Sequence, residues 1–153
     1  MSAERYTLDP NILIYAVDRS AGERHGLAVE IVDRSIEQGC IMTLQAFAEF
    51  VFAVTRKNLV PRREAVAQAR DWLAVFSIVT ADVRALDAAY SAMEAHQFSL
   101  FDALLLATAR NAGCTIAISE DMHDGGTLLG VTVRNPFVAG GLPDDLRALL
   151  GMT

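Results

Sequence analysis

Cysteine is nearly absent from this chain: two residues in 153, Cys40 and Cys114. They share no Cys-x-x-Cys spacing and have no histidine clustered beside them, which argues against a zinc site. Both read as reduced, buried and structural, as in a cytosolic protein. Histidine is scarce too. His25, His96 and His123 are scattered, and no Ser-His-Asp arrangement is evident. There is no Gly-x-Gly-x-x-Gly and no Gly-x-x-x-x-Gly-Lys-Ser/Thr, so dinucleotide and P-loop chemistry are disfavoured. No apolar run reaches the length of a membrane span. The start, Met1-Ser-Ala-Glu-Arg5, lacks a signal-peptide pattern. Positive charge is also short. Thirteen Lys and Arg face 19 Asp and Glu, a net charge of −6, whereas nucleic-acid binders usually carry a basic footprint. Two considerations soften that objection. Acids gathered around a metal are neutralised by it, and the arginines here cluster rather than spread.

What is present is apolar substance. Hydrophobic residues make up 52% of the chain, enough for one domain, residues 1–153, with its own core. Tyr6 to Leu8 reads as a short strand that ends on Asp9. An apolar helix, Asn11 to Val17, follows at once. Pro10 suits its first position, where a missing N–H costs nothing, and Asp9 falls at the N-cap. A helix from about Glu23 to Ile36 comes next, with Leu27, Ile31 and Val32 inward. A strand at Cys40–Thr43 follows, and Thr43 caps a helix from Leu44 to about Arg56. That helix is apolar nearly all round and is expected to be buried. A helix from Pro61 to about Phe76 shows a stripe of Ala65, Val66, Ala69, Trp72, Leu73 and Phe76. After a brief strand at Ile78–Val79, Thr80 is expected to cap a helix with Val83, Leu86, Tyr90 and Met93 inward. Ser99 opens a further helix that ends near Gly113. Cys114 to Ser119 is the clearest buried strand. His123-Asp-Gly-Gly is a turn, Val131 to Arg134 the last strand, and Pro143 to Leu150 a terminal helix. Strands alternating with helices imply α/β architecture, a parallel sheet with helices on both faces.

Four acids stand out by position. Asp9 sits at the carboxyl end of a strand, where open α/β sheets hold ligands. Its bland reading is a simple helix cap. Glu49 is the lone charge in an apolar helix, with Gln45 one turn earlier on the same face. Such a carboxylate needs a cation, a metal or a donor, or else reaches solvent or a distant arginine. Asp102 lies in the first turn of a helix, where Ser99-Leu-Phe-Asp102 also resembles a capping box. Asp121 follows the Cys114–Ser119 strand. Parallel topology can bring these positions to one sheet edge, where the carboxylates repel unless a cation joins them. A hard divalent ion takes oxygen ligands and keeps waters. This points to metal-assisted phosphodiester hydrolysis.

Here the chain resembles the PIN domains, especially the VapC-type toxin ribonucleases of bacterial toxin–antitoxin pairs. The matching stretches are Leu8-Asp-Pro-Asn-Ile-Leu-Ile-Tyr-Ala-Val-Asp18, Gln45-Ala-Phe-Ala-Glu-Phe50, Ser99-Leu-Phe-Asp-Ala103, Ile118-Ser-Glu-Asp-Met122 and Val133-Arg-Asn-Pro-Phe137. None is specific alone; the ordered set is. The resemblance implies a three-layer α/β/α sandwich around a central parallel sheet. It implies Mg²⁺ or Mn²⁺ at the acids, cleavage of RNA in the cytoplasm, a homodimer and a small antitoxin partner. Asp9, Glu49, Asp102 and Asp121 fall on the family's acidic positions, with Asp9, Asp102 and Asp121 as metal ligands. Asn11 and Ser119 fall on polar positions that support the acids by hydrogen bonds. Pro10 departs from the family's usual Thr or Ser.

Glu120 and Asp124 read as solvated. Arg24, Arg56, Lys57, Arg62 and Arg63 are candidate RNA contacts, against the alternative of a solvated helix junction. Two rival functions remain. One is a catalytically silent PIN-like domain that binds a protein or RNA. The other is a phosphatase of the Asp-x-Asp type, which wants a second acid where Asn11 stands.

Overall fold

A computed structural model describes residues 4–152; the first three residues of the N-terminal stretch lie outside it. β1 (Arg5–Leu8), β4 (Cys114–Ile118), β6 (Val131–Arg134) and β5 (Thr127–Leu128) form one sheet in the order β1-β4-β6-β5. β2 (Ile41–Thr43) and β3 (Ser77–Val79) form a parallel pair. A single parallel bridge, Tyr6 to Cys40, joins the two. The strand that leads to Asp9 is therefore central, in the order β3-β2-β1-β4-β6-β5. All pairings are parallel except β5 with β6. The sequence pattern does not reveal β5: a two-residue strand after a Gly-Gly turn shows no alternation to read. The helices α1 (Pro10–Val17), α2 (Glu23–Glu37), α3 (Leu44–Arg56), α4 (Arg62–Val75), α5 (Val83–Glu94), α6 (Leu100–Asn111) and α7 (Asp144–Leu149) flank this sheet.

Register positions the edge that matters. Leu8 on β1 pairs with Ile118 on β4, so both strands end level. The Asp9 N–H continues the ladder to the Ile118 carbonyl at 2.9 Å. The next residue on each chain, Asp9 and Ser119, leaves the sheet at the same place.

Two hydrophobic clusters fill the interior. The first joins β1, α1, α2, α3 and α4 and is rich in aromatics: Tyr6, Phe47, Phe50, Trp72 and Phe76 are all buried. The Phe50 and Trp72 rings meet edge to face with centroids 5.0 Å apart, a favoured aromatic geometry. The second joins α5, α6, β4 and β6 through Ala89, Ala92, Ala103, Leu106, Ala117 and Val133.

Two expectations about helices fail, for related reasons. α3 is not buried all round. Ala46, Phe47, Phe50 and Val54 form its inner face, while Leu44 and Phe52 are exposed, Phe52 by 63%. It packs against α1 and α4, which cover only one side. In α5 the inward face is Ala85, Ala89 and Ala92. Val83 is 85% exposed, Tyr90 and Met93 are also exposed, and Leu86 is only half-buried. α5 lies along α6, whose Ala103 and Ala107 are buried. Small side chains let two helices approach closely, and that gain outweighed burial of the larger residues. The cap of α5 is Asp82, not Thr80: its carboxylate accepts the Ala85 N–H at 2.8 Å. A carboxylate satisfies a free N–H and complements the positive helix end. The Thr43 cap on α3 is as expected, accepting from Ala46 N–H at 3.1 Å. Leu73 in the α4 stripe is exposed, whereas Ala65, Ala69, Trp72 and Phe76 are buried.

Candidate active site

Asp9 occupies the N-cap position of α1, yet its side chain makes no cap hydrogen bond. Pro10 at the first helical position has no N–H to offer, and the carboxylate turns the other way. Its Oδ2 accepts from the Ser119 hydroxyl at 2.7 Å. Both groups are buried, Asp9 to 5% exposure and Ser119 completely. Burial pushes the Asp9 carboxyl up to about 7, the Ser119 hydrogen bond draws it down, and the charges of Asp102, Asp121 and Glu49 push it up again. The charges of the other three acids thus reach Asp9 at the end of β1. The simple-cap reading of Asp9 does not hold.

The other three acids arrive on separate elements. Asp102 is half-buried in the first turn of α6. Its backbone N–H donates to Ser99 Oγ at 3.3 Å, so Ser99 caps the helix through this residue. Desolvation raises its carboxyl, Ser99 opposes the shift, and Asp121 adds to it. Asp121 is exposed just past β4. Glu49 is half-buried on α3, and its Oε2 accepts from Gln45 Nε2 at 2.8 Å. That same amide nitrogen donates to the Phe101 carbonyl at 2.9 Å. Gln45 therefore ties the Glu49 carboxylate to the turn that carries Asp102. The sequence signal for this tether is its spacing, four residues before Glu49.

Asn11 does not support the acids as expected. Its side chain is buried, and neither amide atom has a hydrogen-bond partner. It stands in the first turn of α1, where the chain direction is set by Pro10, and no acid comes within hydrogen-bond reach. Glu120 is not solvated either. It accepts from the Tyr15 hydroxyl at 2.6 Å and forms an ion pair with Arg24. Arg24 also lies over the rings of Tyr15 and Phe137, 5.6 and 5.5 Å from their centroids. Arg24 is thus held in this cluster, with its side chain about half exposed. Nothing in the sequence links residues 15, 24, 120 and 137. Asp124 accepts from Asn135 N–H at 2.9 Å and pairs with Arg134, which pins the turn before β5. Arg56 stacks on Phe52. Arg56, Lys57, Arg62 and Arg63 are exposed.

Among the described residues, no group of three or more His, Cys, Asp or Glu side chains forms a ready-made metal cluster. The donor set nevertheless fits a hard ion. It is all oxygen, its deepest carboxylate has no cationic partner among the described residues, and its members repel one another. Mg²⁺ needs only one or two carboxylates and keeps several waters. A cavity of about 440 Å³ opens beside Asp102 and Asp121. His123, which the sequence sets apart from the acids, lines it. A larger cavity, about 890 Å³, lies at the far end of α1 beside the α3–α4 turn, and none of the four acids lines it.

The fold has solved counterparts. The toxin VapC20 of Mycobacterium tuberculosis, described as cleaving the sarcin–ricin loop, superposes with a TM-score of 0.62 at 18% identity, over 83% of this chain and 98% of that one. FitAB bound to a DNA fragment gives 0.62 at 18% identity, over 87% and 96%. A toxin–antitoxin complex from Klebsiella pneumoniae gives 0.57 at 22% identity, over 86% and 96%. No curated protein matches the sequence. The PIN domain family matches residues 6–123. With β1, α3, α6 and the end of β4 all inside that span, this chain belongs to the PIN domain family.

Proposed function

We propose that this protein is a divalent-metal-dependent endoribonuclease, the toxin of a toxin–antitoxin pair. One observation carries the reading: a buried Asp9 at the end of the central strand, under the charges of Glu49, Asp102 and Asp121, in a chain of the PIN family. Asp9, Asp102 and Asp121 would hold Mg²⁺ or Mn²⁺, which when bound activates water and stabilises the leaving oxygen of a phosphodiester. The chain's own groups prepare that site. Ser119 fixes the Asp9 carboxyl through Oδ2. Gln45 holds Glu49 through Oε2, leaving Oε1 to take the proton that the attacking water gives up as the P–O bond breaks. Arg56, Lys57, Arg62 and Arg63 form no ion pairs among the described residues and are open to phosphates, so a net acidic chain still has a local basic surface.

Partners follow from the same reading. The solved counterparts include toxin–antitoxin complexes, which supports a small antitoxin as inhibitor. Exposed apolar side chains on α3 and α5, among them Phe52, Tyr90 and Met93, support a covered surface, and we assign it to a homodimer. Among the described residues, no helix is long and apolar enough to cross a membrane; we place the protein's work in the cytoplasm, as a single domain. The deciding experiment is RNA cleavage by purified protein with Mg²⁺ or Mn²⁺, with chelator, and with Asp9→Asn. Metal-dependent cleavage lost in Asp9→Asn supports the reading. Cleavage undiminished by chelator, or equal in the variant, refutes it; binding of RNA without cleavage would favour the silent-domain alternative.

A further inference from the structure

The cavity beside the acids has a mixed lining. It includes Asp102 and Asp121, and with them Gln97, Phe98, His123 and Thr127, but no lysine or arginine. Its volume, about 440 Å³, falls within the range of small-ligand sites, roughly 300–1,000 Å³. The acids repel phosphate unless a metal is bound, and the rest of the lining offers no lysine or arginine to hold one. What it does offer is one aromatic side chain and several hydrogen-bonding groups. That is the chemistry that receives a planar, uncharged heterocycle.

Part of this lining is held by the fold. Phe98 is half-buried and packs against the second hydrophobic cluster. Below it the chain turns through Gly125 and Gly126. Gly126 N–H donates to the His123 carbonyl at 2.9 Å, Gly125 N–H to the Val133 carbonyl at 2.8 Å, and Val133 N–H to the Gly126 carbonyl at 2.8 Å. A Cβ on Gly126 would sit 2.9 Å from the His123 carbonyl and 3.7 Å from Phe98 Cζ. The clash is with the turn's own carbonyl, so the turn needs glycine there, and the Phe98 ring tip lies within ordinary contact distance of it. Thr127 begins β5 directly after this turn, and its hydroxyl lies 3.4 Å from that of Thr132. Gln97 and His123 are exposed and able to adjust to what enters.

We propose that this cavity receives one unpaired nucleobase of the substrate, next to the phosphate that is cut, and so sets the nucleotide preference of cleavage. The proposal rests on the ribonuclease reading. Phe98 supplies the stacking surface, and Gln97, His123 and Thr127 read the base edge. A site built to satisfy hydrogen-bonding groups rejects bases that leave them unpaired. A metal held at Asp102 and Asp121 would keep the phosphate at the cavity rim while the base enters.

The test uses short single-stranded RNAs in which the nucleotide flanking the cleaved bond is each of the four bases or an abasic site. kcat/KM is measured for wild type, Gln97→Ala, Phe98→Leu and Thr127→Val. Phe98→Leu keeps apolar volume and guards against simple misfolding. Wild type should favour one or two bases over the abasic RNA by roughly tenfold. Phe98→Leu should erase most of that advantage, and Gln97→Ala and Thr127→Val should flatten the choice among bases. Asp9-dependent cleavage with no base preference, or a preference unchanged in all three variants, overturns the base site and leaves the nuclease intact. No Asp9-dependent cleavage overturns both. A second measurement needs no turnover: uncharged nucleosides are titrated into Asp9→Asn protein and followed by amide NMR. Shifts at residues 97–99 and 123–127 support the site, and shifts confined elsewhere overturn it.

Discussion

The two hydrophobic clusters are built from different residues, and the four acids stand on the seam between them. The first cluster locks large rings together: Phe47, Phe50, Trp72 and Phe76 sit within 5.0–6.4 Å of a neighbour, centroid to centroid. The second, among the described residues, contains no fully buried aromatic; small residues, Ala89 and Ala92 on α5 and Ala103 on α6, are prominent in it. Asp9 and Glu49 come from elements of the first half, Asp102 from the second, and Asp121 from the loop after β4. The aromatic half sets its acid deep: Asp9 is 5% exposed, whereas Asp102 is half-buried and Asp121 exposed. A thick core can enclose a carboxylate and raise its proton affinity. A thin one leaves its acids within reach of a substrate.

The sharpest way to test whether both halves serve one site is to remove an acid from each. Asp9→Asn and Asp102→Asn should each lower metal-dependent RNA cleavage by about 100-fold or more, with circular dichroism unchanged. Loss from only one of them would confine the chemistry to one half and break the comparison.

The difference in depth has a pH signature. Asp9 is raised from 3.8 to about 7, so between these values the folded state holds a proton that the unfolded chain has released. Stability of the metal-free protein should therefore fall as pH rises from about 4 to about 7 and stay low above it, a cost on the order of 4 kcal/mol. Thermal melts from pH 5 to 8 check this. Asp9→Asn should flatten the fall, and Mg²⁺ at pH 8 should raise the wild-type melting temperature by binding the ionised form. The shallower Asp102, also raised, should leave a smaller residual slope. A flat wild-type profile would mean that the aromatic half does not isolate its acid.

The packing contrast predicts opposite responses on one helix. Ala89→Leu should overpack the α5–α6 contact and cost about 1–3 kcal/mol. Val83→Ser, at a position 85% exposed, should change stability by less than about 0.5 kcal/mol. Denaturant unfolding of both variants measures the pair, and a large destabilisation at Val83 would show that the exposed face is covered in solution.

The smallest effect concerns the basic surface on the aromatic side. Arg62→Ala with Arg63→Ala should weaken RNA binding evenly across sequences. For every phosphate that the double variant leaves without its arginine, the salt slope should fall by roughly 0.7 on single strands. Binding over a salt series reads this, and metal affinity should not move. An unchanged slope would assign these arginines to the solvated junction.

Residue order alone carries the helix starts at Pro10 and Thr43, the buried strands and the four acids. Each of these rests on local chemistry: a ring that fixes φ, a hydroxyl that meets a free N–H, an apolar run, a carboxylate at the end of a strand. The same reading fails where the outcome depends on a neighbour far along the chain. Which face of α5 turns inward is settled by alanines on α6. Whether Glu120 meets water is settled by Tyr15 and Arg24, over a hundred positions away for Tyr15. Asn11 has none of its expected partners and Gln45 has two, because side-chain reach depends on how α1, α3 and α6 lie against one another. Asp9 itself shows both levels. Its place after a strand and before a proline is written in sequence. Its burial, its bond to Ser119 and its raised proton affinity exist only because β1 and β4 end level in the folded sheet.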